Sequence, residues 1–120
     1  MDNSSFCKCE KCVPQYRPEL ALLSSQQSDY WFRFVNAVAK EVAKTHPDKK
    51  VSTLAYYTHC GVPTFPLEPN VIVHYCFTCN RIPYAQRCAR QEEQLRDWRA
   101  AYPDRPFGLW LYNTFPKEYA

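Results

Sequence analysis

The sequence predicts an α/β fold built on a small parallel sheet. Three observations predict it. Helical and strand-like segments alternate along the 120 residues. The run VIVHYCF at residues 71–77 is apolar on both faces apart from His74, as a strand buried in a parallel sheet requires. The link from that strand to the next apolar run is long enough to carry a crossover helix.

Residues 1–20 hold Cys7, Cys9, Cys12, Pro14 and Pro18 and read as a Cys-containing leading loop; residues 21–120 read as one α/β segment. The first helix starts near Ser28 and Asp29, whose side-chain oxygens suit a helix N-terminus. Trp31, Val35, Val38 and Val42 recur at helical spacing, with Phe34 and Ala39 beside them. Lys40, Lys44 and His46 favour the C-terminal end of the helix dipole, and Pro47 stops the helix. Residues 51–58 (VSTLAYYT) are β-branched and aromatic and read as the first strand. Gly61, Pro63, Pro66 and Pro69 forbid regular structure until Asn70, where the second strand begins. Residues 78–86 are a loop. Residues 87–102 form the second helix, with Cys88, Leu95, Trp98 and Tyr102 on one side, and Pro103 and Pro106 end it. Residues 109–112 (LWLY) are the third strand. Three parallel strands leave two open edges, which natural sheets avoid. We therefore expect the chain to be a piece of something larger, or to pair with another chain at those edges.

Composition narrows the partners. Apolar residues at 46% and charged residues at 22% exclude a disordered chain. No apolar run approaches the length of a transmembrane helix, so no membrane role is expected, and the polar start from Met1 to Ser5 is not a signal peptide. The net charge of +3 gives no nucleic-acid footprint. Arg81, Arg87, Arg90, Arg96 and Arg99 are interrupted by Glu92, Glu93 and Asp97, the pattern of a solvated helix face.

Seven cysteines make the chain cysteine-rich. Cys9-x-x-Cys12 and Cys76-x-x-Cys79 have the spacing of a four-thiolate zinc site, because one tight turn points both sulfurs inward. Cys7 is a spare ligand. Disulfides, such as Cys76 or Cys79 with Cys88, and simple buried thiols are the alternatives. A thioredoxin-type role for residues 76–79 is disfavoured, since no helix begins at Cys79.

The ordered set of Cys7-Lys8-Cys9-Glu10-Lys11-Cys12, Ser28-Asp29-Tyr30, Phe34-Val35-Asn36 and Leu54-Ala55-Tyr56 resembles a known family. So do Asn70-Val71, Cys76, Cys88, Leu95, Trp98, Leu109-Trp110-Leu111-Tyr112 and Phe115-Pro116, later in the chain. The family is the bacterial domain of unknown function 4838, often called α-glucuronidase-like, and the resemblance runs from Cys7 to Pro116. It implies a glycosidase-type (β/α)8 TIM barrel in large, mostly exported proteins, which favours disulfides. A barrel needs about 250 residues, so this chain would supply a partial, TIM-barrel-like segment of about three parallel strands and two helices. Family members often carry an Asp just before the tyrosine of the last strand. Leu111 stands there, so no carboxylate role carries over.

Glycoside hydrolysis takes two carboxyl groups across the scissile bond, and a barrel presents them at the C-terminal ends of its strands. Asp48, Glu68 and Asp104 precede the three strands and fall at the opposite end. Glu41, Glu92, Glu93 and Asp97 are helical; Asp29 reads as a capping-region acid. Asp2, Glu10 and Glu19 sit in the leading loop, and Glu118 is close to the chain end. No complete carboxylate pair is visible, so whether the chain is an enzyme stays open. The strand ends offer Tyr56, Tyr57, His59, Tyr75, Tyr112 and Asn113 instead. Tyrosine faces stack on sugar rings, and His and Asn bond hydroxyls. Core packing is the competing reading for each tyrosine, and His74 reads as a core histidine.

The sequence thus carries two functional expectations. The first is a segment of a glycoside-hydrolase-like, carbohydrate-active domain that is inactive alone and needs no cofactor. The second is a non-enzymatic zinc-binding or protein-interaction module built on the cysteines. The metal content of reduced protein separates them.

Overall fold

A computed structural model describes residues 7–78 and 85–111. Two 3-10 turns, Val13–Gln15 and Pro18–Leu23, precede helix α1 at Ser28–Thr45. Strand β1 is Val51–Ala55, followed by a 3-10 turn at Tyr57–His59. Strand β2 is Val71–Phe77, helix α2 is Ala85–Ala101 and strand β3 is Phe107–Leu111. The strands form one parallel sheet in the order β1-β2-β3. This is the α/β arrangement the alternation predicts, with the proportions expected of a barrel segment. The 3-10 turns show that the leading segment is locally ordered rather than a plain loop.

Both helices lie on one face of the sheet. The Trp31 indole of α1 donates to the Thr53 hydroxyl of β1 at 3.0 Å. The Tyr75 hydroxyl of β2 donates to Gln94 of α2 at 2.6 Å. The Phe107 ring of β3 lies 6.0 Å from Trp98 of α2. Thr53 pairs with Val73, Val73 with Phe107, and Tyr75 is two residues on. Side chains alternate across a strand, so all four share a face. Trp98, 1% exposed, is the hub: its ring packs edge-on to Phe32 of α1 at 5.3 Å, and its N–H donates to the Cys60 carbonyl at 2.7 Å.

Several details depart from the sequence reading. The buried stripe of α1 is Phe32, Val35 and Ala39, while Phe34 and Val38 are exposed. The i, i+3, i+7 row facing the sheet is one step round from the expected one. Asp29 caps nothing. Its two carboxylate oxygens accept from the Thr64 backbone N–H and hydroxyl, both at 2.8 Å, and no side chain caps α1. The proline-rich loop has few backbone partners of its own, and Asp29 supplies them. Strand β1 stops at Ala55 rather than residue 58, because Tyr57 takes a left-handed φ of 53° and starts a turn. Helix α2 begins two residues earlier than expected, and so does β3.

Two polar residues of α2 are buried. Gln91 accepts from the Thr78 N–H, and Gln94 bridges the Tyr75 hydroxyl to Ser25. On the opposite face of the sheet His74 lies across from Gly108, where a Cβ would run into the imidazole. Only glycine admits the imidazole there.

Side-chain amides and a guanidinium lock the N-terminal ends of the strands. Asn70 donates to the Ala39 carbonyl at 2.9 Å, and Asn36 bonds the backbone of both Pro66 and Glu68. Arg105 donates to the Leu67 and Glu68 carbonyls and lies over the Tyr102 ring. Asp48, Glu68 and Asp104 are at this end, as the sequence suggests.

Candidate functional site

The other end of the sheet gathers the side chains with chemistry. The Gln27 N–H, just ahead of α1, donates to the Thr58 carbonyl beyond β1 at 2.9 Å. The N-terminus of α1 therefore sits beside the C-terminal end of β1. The leading segment is pinned there by bonds from the Arg17 N–H to the Gln26 carbonyl and from the Cys60 N–H to the Ser24 carbonyl.

The most concentrated group is Cys7, Cys9 and Cys12, whose sulfur atoms all lie within 4.8 Å of one another. The local chain dictates this. The Cys12 and Val13 N–H groups both donate to the Cys9 carbonyl at 3.1 Å, closing a turn that folds the cysteines back on themselves. Tyr16 donates its hydroxyl to the Cys7 carbonyl at 2.8 Å. Its ring meets Tyr30, in the first turn of α1, edge-on at 5.4 Å. The Tyr30 hydroxyl stands 3.8 Å from the Cys12 sulfur.

These contacts differentiate the thiols. Cys9 is pulled down to about 7, first by the Cys7 thiol, then by the backbone and side chain of Cys12 and the backbone of Lys11. It is the group most readily present as thiolate. Cys12 moves the other way: its Tyr30 bond pulls it down, but its bond to Cys9, partial burial and nearby Cys7 outweigh that pull. The Cys12 contact in turn raises Tyr30, and burial, then the neighbouring cysteines and Tyr30, pushes Tyr16 up to about 12.

Only part of the expected four-cysteine set lies within the described residues. Cys9 and Cys12 come together with Cys7. Among the described residues Cys76 is not in this group: it sits 2% exposed within β2. Cys79 lies outside the described residues. Cys76 and Cys88 are not disulfide-bonded to each other, and the alternative expected pair, Cys79 with Cys88, lies outside the described residues. Spacing marked Cys9 and Cys12 but not the close approach of Cys7, and nothing in the pattern singled out Tyr16 or Tyr30.

The expected sugar rim is only partly at the surface. Tyr57 is 52% exposed and its ring lies 6.0 Å from the half-buried Tyr56. Tyr75 is fully buried and bonded to Gln94, so it is core rather than rim. His59 is also buried, its ring tilted against that of Trp31 with centroids 4.8 Å apart. Burial lowers its pKa to about 4 against a hydrogen bond with the Leu54 backbone, and it stays neutral at pH 7. Tyr112 and Asn113 lie outside the described residues.

Fold and site together define an α/β segment whose two described helices share one face of a parallel sheet, with a thiol-rich cluster at the C-terminal end of its strands. The chain belongs to the family described as Domain of unknown function (DUF4838), whose model matches residues 1–117. No curated protein and no solved structure matches it. No described helix is long and apolar enough to cross a membrane.

Proposed function

We propose that the chain is a segment of a carbohydrate-active, glycosidase-like TIM barrel that binds sugar weakly and is catalytically silent alone. One observation carries the reading: the strand order runs β1-β2-β3 without reversal, with α1 and α2 on the same face. An unreversed order with one helical face is what a barrel keeps all the way round; one half of a doubly wound sheet has it too, and the two part only where a further strand reverses the order. The resemblance to an α-glucuronidase-like family supports the same reading. The open edge at β3, where Leu109, Trp110 and Leu111 are 52%, 51% and 48% exposed, suits a further strand from the rest of a barrel or from another chain.

Tyr56 and Tyr57 at the end of β1 are the sugar-stacking pair in this proposal, and the hydrolytic carboxylates come from elsewhere. The full chain titrated with uronic acids and neutral sugars should bind at millimolar strength, and Tyr57→Ala should abolish binding. A panel of aryl glycosides and uronides should show no turnover. Absence of binding to every sugar would overturn the reading. So would turnover that disappears in Glu10→Gln or Asp29→Asn, which would assign the chemistry to a carboxylate of this chain.

A further inference from the structure

Independently of any sugar, we propose that Cys7, Cys9 and Cys12 form a zinc site, three thiolates holding one Zn2+ with the fourth position open to solvent. Their sulfur atoms already lie within 4.8 Å of one another. Thiolates bind tetrahedral Zn2+ at about 2.3 Å, which sets them about 3.8 Å apart. Closing the triangle therefore takes shifts on the order of 1 Å in a surface turn. A disulfide would demand a sulfur pair at about 2.05 Å and leave the third thiol out. All three are thiols here.

The surroundings suit a bound thiolate cluster. Tyr16 donates to the Cys7 carbonyl and the Cys12 N–H to the Cys9 carbonyl, so the turn that carries the sulfurs is already closed. The Tyr30 hydroxyl stands 3.8 Å from the Cys12 sulfur, the length of a hydrogen bond to sulfur rather than of a metal bond, and would donate to its thiolate. Three thiolates and Zn2+ carry a net single negative charge, and Lys8 and Lys11 lie within the same turn. Sulfur donors select Zn2+ over Mg2+ or Ca2+, which take oxygen. Binding releases the thiol protons, and each sulfur donates a lone pair to the metal. The ion would join the three corners of the turn and hold the leading segment at the N-terminal turn of α1, through Tyr30.

The test uses the full chain, reduced with a phosphine, stripped of metal and titrated with Co2+ and then Zn2+. About one equivalent of Co2+ should bind with tetrahedral d–d bands and sulfur-to-cobalt charge transfer, and Zn2+ should displace it. Cys7→Ser, Cys9→Ser and Cys12→Ser should each weaken binding by about 100-fold or more, with an unchanged far-UV spectrum because these residues lie at or near the surface. Cys88→Ser should bind as the parent does. Octahedral cobalt, less than about 0.2 equivalents bound, or an affinity that no cysteine of the triad changes would overturn the site. Loss of the sugar reading would leave this titration untouched, and the reverse also holds.

Discussion

Strands β2 and β3 have similar apolar content and opposite fates. In β2, Val71, Val73, Tyr75 and Cys76 are all at most 2% exposed, whereas three of the five residues of β3 are about half exposed. Both strands meet α2 on the same face. The difference is lateral: among the described residues β2 has a hydrogen-bonded neighbour on each side and β3 on one only. Burial is thus a property of position in the sheet, and apolar content alone does not set it. The exposed apolar edge is a surface that natural sheets cover.

The contrast can be broken first at its buried side. Trp98→Ala should destabilise the chain by about 3–5 kcal/mol, since the indole joins both helices and β3. Urea unfolding followed by circular dichroism measures it, and a loss below about 1 kcal/mol would mean that the helices hold the sheet by other contacts.

Acid tests the same side. His59 has a folded pKa of about 4 against an ordinary value of 6.5. The unfolded chain therefore binds the proton first, and stability rises with pH. The His59 contribution is complete above pH 6.5 and is lost as pH falls toward 4, in all about 3 kcal/mol. His59→Phe should flatten that part of a pH series of urea midpoints; an unchanged slope would assign the acid sensitivity to other groups.

The smallest effect on stability should come from the open side. Trp110→Ser should change the unfolding free energy by no more than about 0.5 kcal/mol, because half of the indole is already in water. Its effect should be on association. Sedimentation velocity should show the parent chain self-associating and the variant less so. A parent that is strictly monomeric would mean that this edge draws no copy of the chain.

The order of elements, the parallel sheet and the span of β2 were legible in the sequence, because apolar runs and helical recurrence mark where elements lie. The ends were less so. Strand β1 stops where Tyr57 turns into the left-handed region, a tertiary choice that no propensity of tyrosine announces. Gln91 and Gln94 look like surface residues until Thr78, Tyr75 and Ser25 supply their partners. The same limit applies to the site. The spacing of Cys9 and Cys12 marks a metal-type pair with Cys7 as a spare ligand; only the folded turn shows the three sulfurs together, and among the described residues Cys76 is not in their group.

The bond from the Asn70 amide to the Ala39 carbonyl acts well beyond its own surroundings. It ties the middle of α1 to the residue just ahead of β2 inside the protein. Sliding α1 by one turn, about 5.4 Å along its axis, would strand a buried amide at a cost of about 1–3 kcal/mol. The helix consequently has one permitted height. Tyr30 rides at its upper end, so the elevation of the three sulfurs above the strand ends is gauged from the far side of the molecule, by an asparagine that touches none of them.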